Sequence, residues 1–218
     1  MKDIPAIRGR NYIASLIAEG EHDTQDFKFL ISDARKIARS ISAFANHKGG
    51  RLLIGVKDNG VAAGVRNEED IYMVEAAGHI YCSPSVEVSF MAYKVDPGVI
   101  VVKAEIAPSA TPVSVKEDDG TLKAYIRVKD ENIAAPAEWL AARSGEPAGI
   151  DGHLLRYSRH EELLLNMIAE QGRVSLRQFI TESRLPTSVA TAVAGSMIAA
   201  GVIDLTFSNR QWVMIAPA

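Results

Sequence analysis

The sequence predicts an α+β protein built from two domains. Three observations lead there. Apolar residues at helical spacing alternate with short β-branched runs in mixed order. Tight-turn signals, Asp58-Asn59-Gly60, Pro97-Gly98 and Asp118-Asp119-Gly120, join several of the runs. One stretch dense in Gly and Pro, 144–152, separates a long mixed segment from a shorter, mostly helical one. The expected domains are therefore 1–145, a mixed or antiparallel sheet with packed helices, and 151–218. A chain of 218 residues that is 47% hydrophobic supplies a core for each.

The elements follow in order. Ile13, Leu16 and Ile17 give 7–18 a helical face that Gly20 ends. Residues 24–29 form a strand. Ser32 is placed to cap a helix reaching Asn46, with Ile37, Ile41, Phe44 and Ala45 on its apolar face and Arg35, Lys36 and Arg39 on the other. After Gly49-Gly50, the run 51–57 is a nearly continuous apolar strand, and 61–65 is expected to return beside it. A helix over 67–81 precedes two antiparallel strands, 86–93 and 99–106. Further strands at 112–115 and 122–128 lead to a short closing helix at 135–142. Beyond the linker come helices at 158–171, 175–183 and 187–200, then a hairpin of 202–207 and 211–215 that turns at Ser208-Asn209. Three helices and a hairpin make winged-helix order.

Composition narrows the functional classes. The single Cys82 forms no internal disulfide, and no paired Cys/His spacing suggests structural zinc, so a reducing, cytoplasmic setting is expected. The N-terminal residues lack an apolar core of signal-peptide length. The longest uncharged run, 185–203, is diluted by Pro186, Gly195 and Gly201, so no membrane span is expected. The net charge of −3 does not favour nucleic acid, but its distribution is uneven. Between Phe27 and Lys57 lie seven cations, Lys28, Arg35, Lys36, Arg39, Lys48, Arg51 and Lys57, against the single acid Asp33. Such a concentration suits a phosphate-binding surface. The C-terminal segment differs: from Ile150 onward six Arg balance six acids, and 187–200, which would read a DNA groove in a winged helix, has no Lys or Arg. Dimerisation or protein docking fits it at least as well.

Three stretches in order carry a family resemblance: Glu21-x4-Asp26-Phe27-Lys28, then Ala43-Phe44-Ala45-Asn46-x2-Gly49-Gly50, then Leu52-Leu53-Ile54-Gly55-Val56-x-Asp58-Asn59-Gly60 with Gly64. Pro84, Thr111-Pro112-Val113, Tyr125-Ile126-Arg127 and Asn132 continue the pattern. Together they resemble the Schlafen Alba-like (AlbA_2) DNA-binding domain family over about 10–140. The resemblance implies a DNA- or RNA-binding protein, such as a transcriptional regulator. The expected contacts are Lys28, Arg35, Lys36, Arg39, Asn46, Lys48, Arg51 and Lys57, and a homodimer is the default assembly. Asn46 and the glycine pair also fit a helix end that turns sharply into a strand.

Some Schlafen proteins are similar in using three carboxylates to hold divalent metal for RNA cleavage. By that resemblance Glu21, Asp26 and Asp58 form a catalytic, metal-holding set, with Mg²⁺ or Mn²⁺ needed only under this alternative and no cofactor otherwise. Asp26 stands where the family usually has Glu. It is expected beside Lys28 on the non-core face of its strand, while Asp58 equally starts a turn. A protein-interaction module is the third alternative. Nucleotide hydrolysis is disfavoured, because Gly50-x4-Gly55-Val56-Lys57 lacks the Gly-Lys-Ser/Thr ending of a P-loop and lies within a strand.

Overall fold

The structure, a computed structural model, describes residues 4–144 and 158–217. It divides into two units, Met1–Ala134 and Ala135–Ala218. The α+β class is as the sequence predicts.

The first unit contains β1 (Ile7–Arg8), α1 (Arg10–Glu19), β2 (Gln25–Lys28), α2 (Ala34–Ala45), β3 (Gly50–Ile54), α3 (Glu69–Ala76), β4 (Cys82–Ser83), β5 (Val88–Asp96), β6 (Val99–Ile106), β7 (Ser114–Lys116), β8 (Leu122–Val128) and β9 (Glu131–Ala134). A π-helical turn, Ala77–Tyr81, extends α3. One sheet has the order β1-β5-β6-β3-β2, with β5, β6 and β3 antiparallel and the two outer strands pairing in parallel. A second, antiparallel sheet has the order β4-β7-β8-β9.

The period of two in β3 sends Leu52 and Ile54 to one face and Leu53 to the other, and all three are buried. Leu53 meets Ile13 and Leu16 of α1 together with Phe27. Leu52 and Ile54 meet Ile37, Ile41 and Phe44 of α2, whose cluster also takes in Val113 and Val115 beside the second sheet. Residues 51–57 therefore read as continuously apolar because this strand is covered on both sides.

Three expectations change. The cap of α2 is Asp33 rather than Ser32: its carboxylate accepts the amides of Arg35 (2.9 Å) and Lys36 (3.3 Å). The segment 61–65 is no strand and keeps one bridge, Val56 with Ala62. Gly55 leaves β3 at φ +96°, and its carbonyl accepts the amides of both Ala63 and Gly64, so the chain crosses over the strand end instead of pairing along it. Finally, Ile7 and Arg8, expected at a helix start, form the edge strand β1 beside Tyr93 and Lys94. The short strands β4 and β9 had no signal of their own.

The second unit contains α4 (Ala137–Ser144), α5 (Arg159–Gln171), α6 (Leu176–Ser183), α7 (Thr187–Ala199), β10 (Asp204–Ser208) and β11 (Gln211–Ile215). Reciprocal side-chain caps, Ser158 with Glu161 and Ser175 with Gln178, start α5 and α6. The hairpin turns through Asn209 and Arg210, both at positive φ. Leu164, Phe179, Ala190, Ala194 and Met214 fill the core. Helix α4, which the sequence placed at the end of the first domain, packs on α7, where a Cβ on Gly195 would lie 2.6 Å from that of Ala141. Gly and Pro density marks where regular structure stops, not where packing partners change. Most of the expected linker, 145–152, lies outside the described residues. Among those described, no helix is long and apolar enough to cross a membrane.

A Cβ on Gly55 would approach the backbone of Gly64 and Val65 to 2.6 Å in addition to its positive φ. Gly55→Ala is expected to lower unfolding free energy by about 2–4 kcal/mol in urea titration. A loss below about 0.5 kcal/mol would show that the crossover is not a tight packing constraint.

Candidate nucleic-acid interface

The carboxylates expected to act together separate into a pair and an outlier. Asp26 lies on β2 opposite Leu52 and is 5% exposed, so it occupies a buried face rather than the expected non-core one. Its carboxylate is 2.7 Å from Lys28 Nζ and 3.6 Å from the Arg127 guanidinium. Glu21, in the preceding loop, accepts the Phe27 amide at 2.8 Å and shares a hydrogen bond with Asp26. Burial raises the Glu21 carboxyl above its ordinary range, and the hydrogen bond with Asp26 raises it further. Burial would also raise Asp26, but its hydrogen bond with Glu21 and the charges of Lys28 and Arg127 outweigh that and hold it low.

Asp58 is exposed in the turn after β3, and among the described residues no group of three or more His, Cys, Asp or Glu side chains comes together to hold a metal. Two carboxyls backed by Lys28 and Arg127 give a divalent cation neither the ligand number nor the charge it requires. The residues do not fit a metal centre, and no hydrolytic step is assigned to them.

The cations also divide. Arg39 donates to both oxygens of buried Glu117 (3.1 and 2.5 Å) and lies 5.7 Å from the centre of the Tyr125 ring. Arg35 pairs with Asp118, donates to the Lys116 carbonyl and stacks on Tyr81. Arg51 pairs with Glu19 and donates to Gln25, while Lys28 is held by Asp26. Lys48 is 72% exposed, with Asp23 3.7 Å away. With Arg51 it lines a groove of about 670 Å³ whose other walls include Glu87 and Glu105, an unfavourable mixture for phosphate. Asn46 is buried. Its Nδ2 donates to the carbonyls of Val113 and Tyr125 (both 2.8 Å), and its Oδ1 accepts the Val113 amide (2.8 Å). It ties α2 to the second sheet, with no polar atom left for a ligand.

Of the predicted cations, Lys36 and Lys57 remain exposed with no acid in ion-pair contact among the described residues. Lys57 lies over the Phe29 ring at 5.1 Å. Arg66, absent from the predicted set, is exposed on the loop after Gly64. These three share one end of the sheet. Strands β2 and β3 run parallel and end together, with the Gly55 amide bonded to the Lys28 carbonyl; α2 starts there, and Val65 is tied to Ile100. The signal for Arg66 was its place beyond Gly64, within the family pattern but outside the window in which the charge was concentrated.

The carboxylates set the acid response. The hydrogen bonds from Arg39 hold the Glu117 carboxyl below its ordinary value of 4.5, with Tyr125 adding to the effect against burial. A depressed value means that its stabilisation is present above pH 4.5 and is lost as pH falls through the lower folded value. Glu117→Gln is expected to cost about 1–2 kcal/mol at pH 7, and to narrow its gap to the parent chain at pH 3, as read by urea titration. An equal gap at both pH values would contradict this.

A family description, Schlafen, AlbA_2, matches residues 21–136, more than half of the chain. No curated protein sequence matches at a significant level. Among solved structures, the DIP2311 protein from Corynebacterium diphtheriae is similar at 18% identity and TM-score 0.43, over 84% of this chain and 33% of that one. The matched residues run from the Glu21–Asp26 pair through both sheets, and the Asp26–Arg127 and Asn46 contacts that join them fall inside the match: the chain belongs to the Schlafen AlbA_2 family, which associates it with nucleic-acid binding.

Proposed function

We propose that this chain is a nucleic-acid-binding protein that holds the phosphate backbone at the end of the first sheet, through Lys36, Lys57 and Arg66. The observation that carries this reading is family membership over 21–136. The choice of residues follows from charge: Arg35, Arg39, Arg51 and Lys28 are engaged by acids, whereas Lys36, Lys57 and Arg66 face solvent without an ion pair among the described residues. Contacts of this kind give affinity with little sequence preference.

The same reading assigns oligomerisation or partner docking to the second unit, because α7 carries no cation to meet a DNA groove. A regulator of transcription that binds as a homodimer is the cellular form we infer from this combination.

Fluorescence anisotropy with a labelled oligonucleotide at several salt concentrations tests the proposal. Replacing Lys36, Lys57 and Arg66 together with Ala is expected to weaken binding at least tenfold at low salt and to reduce the salt slope by about 2. Unchanged affinity and slope in a folded triple variant would remove this surface.

A further inference from the structure

The cations at the end of the first sheet share it with an aromatic ring that no core takes up. Phe27, Phe44 and Phe179 are buried, Phe90 packs against one of the cores, and Phe207 meets Trp212. Phe29, in the bend that follows β2, is half-buried. Among the described residues it belongs to none of the hydrophobic clusters and has no aromatic partner. What lies over its ring is Lys57 Nζ, 5.1 Å from the ring centre. Leu30, next in the chain, is 57% exposed. Val61, whose carbonyl accepts the Lys57 amide at 3.0 Å, is 50% exposed.

Lys57 is a removable cover for that ring. It is exposed and has no ion pair among the described residues. An ammonium over a ring at an exposed site is held weakly, and its flexible stem lets it turn from the ring to a phosphate. A base stacked on the uncovered face is a stronger contact than the one it replaces. The arrangement therefore suits a ligand that carries a flat ring and a phosphate a few bonds apart. Leu30 and Val61 add apolar surface to that of the ring, so the stacking contact does not depend on the balance of nearby charge. In a duplex the bases are stacked on one another, and only an unpaired base has a free face to offer.

We infer that Phe29 is a stacking platform for one unpaired nucleobase, with Lys57 passing from the ring to the adjoining phosphate. The inference rests on the proposed nucleic-acid function and makes it more specific: the preferred ligand is single-stranded or looped. The platform is tolerant of which base it takes, because every base has a flat face.

The test is anisotropy of the full chain with a labelled single strand of DNA of about 12 nucleotides, with an abasic strand of the same length and charge, and with the duplex, over a range of salt. The base-bearing single strand is expected to bind about tenfold more tightly than the abasic one. Phe29→Leu, which keeps an apolar side chain and removes the ring, should bring the two within about twofold by weakening the base-bearing strand alone. Phe29→Trp, a larger platform, should keep the preference and add an indole whose fluorescence the base-bearing single strand quenches, while the abasic strand and the duplex do not. The parent chain, with Trp139 and Trp212, supplies the background for that reading. The tryptophan variant keeps the test valid if Phe29→Leu folds poorly. A preference for bases that survives Phe29→Leu, or an introduced indole that the single strand quenches no more than the duplex does, would overturn the inference. Salt-dependent binding of equal strength to the base-bearing and abasic strands would overturn it too and leave the backbone reading standing. Absence of salt-dependent binding to any strand would overturn both.

Discussion

The first unit depends on a buried guanidinium. Arg127 on β8 is 3% exposed. It donates to the backbone carbonyls of His22 and Gln25 (both 3.3 Å) and to Asn132 Oδ1 (2.9 Å), stands 3.6 Å from Asp26, and lies 5.0 Å from the centre of the Phe44 ring. One side chain thus joins the second sheet to the outer strand of the first and to the underside of α2. A guanidinium removed from water is tolerated only when its charge and donors are met, so Asp26 is required where it is. Its conversion to a metal ligand would leave Arg127 unpaired.

The same logic separates cations that hold the fold from cations that can meet a ligand. Arg39 and Arg35 on α2 are answered by Glu117 and Asp118, at the end of β7 and in the turn beyond it, and Arg51 by Glu19 on α1. Asn46 adds an uncharged clasp between α2 and the second sheet. Of the cations predicted from the charge window, those that face solvent without an ion-paired acid among the described residues, Lys36 and Lys57, lie with Arg66 near the C-terminal ends of the parallel strands β2 and β3.

Much of this fold was legible in the chain. Helical spacing located α2, alternation located β5 and β6, and the turn residues Pro97-Gly98 and Asp118-Asp119-Gly120 located the β5–β6 and β7–β8 hairpins, because these signals are local. The parts that were not legible depend on distant partners. A window from Phe27 to Lys57 shows seven cations and one acid, but nothing within it reveals that acids at 19, 117 and 118 neutralise three of them. Asp26 gave no sign of being buried, since its burial depends on an arginine about a hundred residues later. The apolar residues of 61–65 suggested a strand, whereas Gly55 and Gly64 bring the backbones too close for regular pairing.

Lysine acetylation footprinting with and without bound single-stranded RNA, read by mass spectrometry, tests most directly the division between engaged and available cations. Lys36 and Lys57 should be protected by the RNA, while exposed Lys48 and Lys123 react at unchanged rates. Protection of Lys48 or Lys123 with Lys36 and Lys57 still reactive would place the ligand elsewhere and contradict the account.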